Sequence, residues 1–123
     1  MERKIKIMIV EDEAIVATAL QIGLTSMGYE VTKPVSSGEE AVKRAKQDKP
    51  DLVLMDVFLL GEMDGIEAAL EIRSDYDIPL IFLTGYNDEE IFEKINSIES
   101  CTYLIKPVDP VEIKAAIEQV LKK

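Results

Sequence analysis

The chain has 123 residues, enough for one compact domain that buries roughly two-thirds of its unfolded surface and too few for a second domain of ordinary size. With 24 acidic against 14 basic side chains the formal net charge is -10, which argues against nucleic acid and anionic membranes and suits a hard cation, a basic protein face, or plain solubility. Histidine is absent and cysteine occurs only as Cys101, which excludes His-activated nucleophiles, the usual zinc sites, a phosphohistidine and an intrachain disulfide.

A lone cysteine points to a reducing, cytosolic setting. Met1-Glu2-Arg3-Lys4 leads into Ile5–Val10, an apolar run that acids close at once. It is too short for a signal peptide or a membrane span and predicts the first strand. Ala14–Met27 carries Ile15, Leu20, Ile22 and Leu24 among polar positions and predicts a helix ended by Gly28. Val31–Val35 predicts a strand at a sheet edge, because Pro34 forfeits a ladder hydrogen bond. Ser37-Gly38-Glu39-Glu40 has capping-box spacing ahead of a second helix. Leu52–Met55 is the next strand, and Asp64–Arg73 repeats Ile66, Ala69, Leu70 and Ile72 near helical spacing.

Leu80–Leu83 reads as a fourth strand, after which Asn87 or Asp88 caps a stretch containing Ile91, Phe92 and Ile95. Tyr103–Ile105 is a weaker strand. Asp109-Pro110-Val111-Glu112 then combines an N-cap, a proline at the first helical position and a glutamate at the third. Near-continuous apolar strands alternating with helices predict a doubly wound α/β domain, a five-stranded parallel sheet with five helices occupying residues 1–123. Ile91, Ile95, Ile113 and Ile117 are expected in the core, a dimer face being the alternative.

In such a sheet, ligands bind beyond the carboxyl ends of the strands. Glu11, Asp12 and Glu13 follow the first run, Asp56 the third, Thr84 and Gly85 the fourth, and Lys106 and Pro107 the fifth. Crowded carboxylates resist ionisation unless a cation compensates, and oxygen ligands without His or Cys select Mg²⁺ or a similar hard ion. A lysine and a hydroxyl beside them suit the oxygens of a phosphoryl group, and an aspartate there is a credible nucleophile for an aspartyl phosphate. Singly, each has a blander reading: Glu13 as a helix cap, Thr84 as a strand-end hydroxyl, Lys106 as a surface lysine. Asp109 is assigned to capping alone.

Five motifs go further: Ile9-Val10-Glu11-Asp12-Glu13, Asp51-Leu52-Val53-Leu54-Met55-Asp56, Met63-Asp64-Gly65-Ile66-Glu67, Phe82-Leu83-Thr84-Gly85 and Tyr103-Leu104-Ile105-Lys106-Pro107. With them the chain resembles a response-regulator receiver domain of two-component systems across nearly its whole length. The resemblance implies a flavodoxin-like sheet of order 2-1-3-4-5. It implies Asp56 as the phosphoacceptor, charged by a histidine kinase or phosphotransfer protein. Asp12 would then bind Mg²⁺ directly, with Glu11 helping and Asp56 and the Phe58 carbonyl as further ligands. Lys106 would contact the phosphoryl group from a cis Lys106–Pro107 bond. Thr84 and Tyr103 would be the switch pair, reshaping the last two helices and the strand between them for an unknown downstream protein. By the same resemblance the chain is no enzyme beyond its own phosphorylation and dephosphorylation, and it works in the cytoplasm.

Some positions depart from the family pattern. The loop Val57–Met63 is one residue longer than in the commonest receivers and lacks a proline often found there, with Leu60 nearby instead. Phe58 and Tyr86 lie two residues beyond Asp56 and Thr84, where large aromatics would shield the phosphorylated site from water; resting on neighbouring loops is the alternative. Other readings stay open: a receiver cut from a longer regulator or sensor, or an Asp-nucleophile phosphatase. The second needs another aspartate two residues on, where this chain has Phe58. An interaction module that has lost phosphorylation would have eroded Asp56, Thr84 or Lys106. No phosphate-cradling Gly-rich loop or dinucleotide fingerprint is present.

Overall fold

Apolar residues with no polar break between them can be strands only where both sheet faces are covered, and the computed structural model is built that way. It describes residues 4–59, 61–85 and 89–121. Strands and helices alternate as β1 (Lys6–Val10), α1 (Ala14–Ser26), β2 (Glu30–Val31), α2 (Gly38–Asp48), β3 (Leu52–Asp56), α3 (Gly65–Asp75), β4 (Leu80–Thr84), α4 (Glu89–Asn96), β5 (Cys101–Ile105) and α5 (Pro110–Leu121). The sheet is parallel throughout, in the order β2-β1-β3-β4-β5. Among the described residues no helix is long and apolar enough to cross a membrane.

Side chains that alternate along each strand divide the interior in two. Met8, Val10, Val53, Met55, Leu80 and Phe82 pack with Ala41, Ala45, Ala69, Ile72 and Ile95 from α2, α3 and α4. Ile7, Ile9, Leu52, Leu54, Ile81 and Leu83 pack with Leu24, Ile113 and Ile117 from α1 and α5. Ile95, Ile113 and Ile117 are thus core residues, and Ile91 packs partly buried against the first layer.

The cap chemistry sits where the sequence places it. Asp64 and Glu67 form a reciprocal capping box at α3, and Asp109 and Glu112 do the same at α5, with Glu112 N–H to Asp109 Oδ1 at 2.9 Å. At α2 only one half forms, the Glu40 N–H donating to Ser37 Oγ at 3.1 Å. Gly28, at φ +99, ends α1 in a left-handed turn in which Tyr29 N–H reaches back to the Leu24 carbonyl. Arg73 ties the end of α3 to the start of β5, donating to the Glu99 carbonyl and lying 3.6 Å from Cys101 Sγ.

One expectation needs correction, and one ambiguity of helical spacing is resolved by packing. The regular part of β2 is only Glu30–Val31, and Val35 makes an isolated bridge to Val10. The segment between still runs along β1, with Thr32 and Val35 N–H groups bonded to Ile7 and Ile9 carbonyls; Pro34, having no N–H, interrupts it. In α1, Ile15 and Ile22 point outward, 86% and 65% exposed, while Ala17 and Leu24 are buried. Both pairs are seven residues apart, so helical spacing alone offered two apolar stripes and packing chose the one through Ala17. Leu70 of α3 is likewise exposed.

Candidate functional site

Strand register assembles the site. Val10 pairs with Met55, which sets Glu11 beside Asp56, and Asp56 in turn pairs with Leu83. Thr84 pairs with Ile105, and the Lys106 N–H donates to the Thr84 carbonyl at 2.7 Å. The Lys106–Pro107 peptide bond is cis. Glu11 is 2% exposed, Asp56 5%, and Thr84 is fully buried, while Asp12 is half-buried.

One carboxylate oxygen from each of Glu11, Asp12 and Asp56 falls within 4.8 Å of the others. Lys106 Nζ reaches into this group, donating to Glu11 Oε1 at 3.0 Å and Asp56 Oδ2 at 3.2 Å. The opposite oxygens take backbone donors: Glu13 N–H to Glu11 Oε2 at 3.2 Å and Phe58 N–H to Asp56 Oδ1 at 3.1 Å. Both buried carboxylates are therefore held from two sides. Glu13 stands at the N-cap of α1, but its side chain makes no capping bond.

Burial raises the Glu11 carboxyl to about 7; the Lys106 hydrogen bond pulls it back, and the Asp56 charge adds to the rise. For Lys106, burial works against the ammonium, but Glu11 and Asp56 outweigh it and the net direction is upward. One lysine thus leaves negative charge in excess, and the donors are all hard oxygens. This set fits a Mg²⁺-like cation.

A pH signature follows. With Glu11 raised from 4.5 to about 7, the folded metal-free protein keeps a proton that the unfolded chain has already released. Its stability from this group should therefore fall as pH rises across that window. Lys106, raised in the fold, keeps its contribution there and loses it only in strongly alkaline solution. Because a cation needs the ionised carboxylate, Mg²⁺ should raise the melting temperature more at about pH 8 than at about pH 5.5. An equal Mg²⁺ shift at both would contradict this.

Tyr103 lies half-buried on β5, its ring stacked on that of Phe92. Phe58 is 47% exposed, next to the carboxylates. Tyr86, Leu60 and the candidate caps Asn87 and Asp88 lie outside the described residues. One residue gains a part that its motif did not reveal. A Cβ on Gly65 would fall 2.1 Å from the Asp56 carbonyl oxygen and 3.0 Å from Val57 Cα, so only glycine lets α3 start against the back of Asp56. Gly65 N–H also bonds the Val57 carbonyl at 2.9 Å.

Comparison with known proteins agrees with this geometry: residues 7–118 match the family "Response regulator receiver domain". The chain belongs to that receiver family. The alkaline phosphatase synthesis transcriptional regulatory protein PhoP of Bacillus subtilis is 37% identical over 121 residues, 96% of this chain and 49% of that protein. The signal receiver domain of a modulated diguanylate cyclase from Desulfovibrio desulfuricans is 35% identical with a TM-score of 0.88, covering 97% of this receiver and 94% of that chain. The chemotaxis protein CheY4 of Vibrio cholerae superposes with a TM-score of 0.87 at 25% identity, covering 97% and 100%. The sheet order 2-1-3-4-5 with five helices is the receiver fold that this neighbour shares. The receiver spans about half the length of the curated transcriptional regulators it matches.

Proposed function

We propose that this receiver is a phosphoacceptor switch in which Asp56 takes a phosphoryl group from the phosphohistidine of a kinase or phosphotransfer protein. The observation that carries this reading is the Lys106 ammonium, shared between Glu11 and Asp56 at 3.0 and 3.2 Å within a cluster of three carboxylates. In the transfer, an Asp56 carboxylate oxygen forms the new bond to phosphorus as the donor's N–P bond breaks, and the imidazole leaves with the electron pair. Lys106 offsets the charge of the incoming oxygens, and the Phe58 amide holds the carboxylate in place. Asp12, Glu11, Asp56 and the Phe58 carbonyl would hold Mg²⁺, which supplies charge neutralisation for the phosphoryl oxygens.

In this reading Thr84 binds a phosphoryl oxygen and Tyr103 follows it inward, changing the surface made by α4, β5 and α5 for a downstream protein. The setting is cytoplasmic and the active unit is the domain 1–123, whether alone or joined to an output segment like those of its longer relatives. A phosphatase of the Asp-nucleophile type is disfavoured because Phe58 occupies the place of its second aspartate.

The deciding experiment adds acetyl phosphate and Mg²⁺ and reads intact mass. Wild type should gain one phosphoryl group and Asp56→Asn none; a wild type that gains nothing, or an Asp56→Asn that gains as much, would overturn the assignment. Phe58 and Tyr86 act as shields in the same scheme. The Phe58→Asn, Tyr86→Ala pair should lose its phosphoryl group several-fold faster than wild type, and an unchanged decay would assign both rings to loop packing alone.

A further inference from the structure

Among the described residues α4 is the shortest helix, eight residues long. Only Ile95 is fully buried, and the strand it packs on is β5. Beside Ile95 and the partly buried Ile91, the helix makes an aromatic contact. The Phe92 ring lies on the Tyr103 ring with centroids 4.1 Å apart and planes 7° from parallel. Tyr103 itself packs half-buried against the core layer shared by α2, α3 and α4. Turning either ring about its Cα–Cβ bond while the other stays put gives up this face-to-face contact. We propose that Phe92 is a positioning residue that couples Tyr103 to α4, so that rotation of the tyrosine and displacement of the helix are one event.

The inference rests on the reading of Tyr103 as a switch. It adds a part that the Thr84–Tyr103 pair does not contain: the linkage by which the ring's position becomes the helix's position. The stack also sets a threshold. An aromatic pair contributes enough beyond its buried area to bias a two-state equilibrium roughly twofold to tenfold. Phe92 therefore holds Tyr103 in its present place until phosphorylation pulls it away. Leucine at this position keeps apolar contact with Ile95's side of the helix but offers no face for the ring. Tyrosine keeps the face.

The test uses protein labelled with fluorotyrosine, the Tyr103 signal being identified by its loss in Tyr103→Phe. Fluorine NMR then follows Tyr103, and amide exchange follows α4, with and without Mg²⁺ and beryllofluoride as the phosphoryl mimic. In wild type and in Phe92→Tyr, both readouts should respond together. In Phe92→Leu, the Tyr103 signal should lie partly toward its activated position before the mimic is added, and α4 exchange should no longer follow the ring. A Phe92→Leu response identical to wild type overturns the coupling alone. A wild-type Tyr103 that ignores the mimic overturns the switch reading and the coupling with it.

Discussion

Gly65→Ala should cripple this protein although it adds a single methyl group. The new Cβ would lie 2.1 Å from the Asp56 oxygen and 2.9 Å from the Asp56 carbonyl carbon, and both are backbone atoms that no rotamer change can clear. Either α3 backs away or the end of β3 moves. Overpacking of this kind costs about 3 kcal/mol, the top of the usual range, because the neighbours cannot yield. Retreat of the helix would also break the Gly65-to-Val57 hydrogen bond and unseat the Asp64–Glu67 capping box. Movement of β3 would shift Asp56 relative to Lys106, and misplacement by about 1 Å slows a positioned reaction on the order of a hundredfold. Urea unfolding and the rate of acetyl phosphate labelling measure the two costs. Gly85→Ala is the control: among the described residues nothing lies within 4 Å of a Cβ there, and its stability should stay within about 0.5 kcal/mol of wild type. Equal behaviour of the two alanine variants would refute the steric account.

Lys106→Met should have the second-largest effect, and it separates chemistry from packing. Methionine nearly preserves the side chain's bulk but removes the ammonium that donates to Glu11 Oε1 and Asp56 Oδ2. Loss of one partner leaves two buried carboxylates facing each other, which drives Glu11 still further above its already raised value. Lys106 is partly exposed, so the stability lost near neutral pH is smaller than for a fully buried pair, about 1–3 kcal/mol. Phosphorylation should suffer more. Removing one preorganised charge from a transferring phosphoryl group costs on the order of a hundredfold or more in rate. If labelling slows less than about threefold while Asp56→Asn abolishes it, Lys106 is a structural counter-ion and not part of the transfer machinery.

The fold was legible because its strands are buried on both faces, so hydrophobicity runs unbroken through Ile7–Val10, Leu52–Met55 and Leu80–Leu83. The cluster of Glu11, Asp12, Asp56 and Lys106 was legible because these residues stand just past the strand runs. What escaped was whatever depends on distance across the fold. Ile15 and Ile22 match helical spacing as well as Ala17 and Leu24 do, and only the placement of α5 and the sheet decides between them. Spacing does not show that, of the adjacent acids, Glu11 is buried under Lys106 while Asp12 stays half-buried. Gly65 sits nine residues from Asp56, inside a motif that does not show their contact, and the stack of Phe92 on Tyr103 spans a helix and a turn. Val31–Val35 failed as a regular strand for a reason that was visible, Pro34, whose effect reached further than an edge position alone required.

β5 differs from β1, β3 and β4 in one respect that bears on how the molecule is read by a partner. β3 and β4 are buried from end to end, whereas no residue of β5 is fully buried. Its side chains lean alternately into both layers, Tyr103 toward the core beneath α4 and Leu104 toward the core beneath α5. It is an edge seam of the domain, where partly exposed side chains of both half-interiors lie along a common line. A protein laid across that seam would press on both halves at once, and its grip would register a shift in either. One docked on the flank of α2 or α3 would meet a single half, with a fully bonded sheet standing between it and the other.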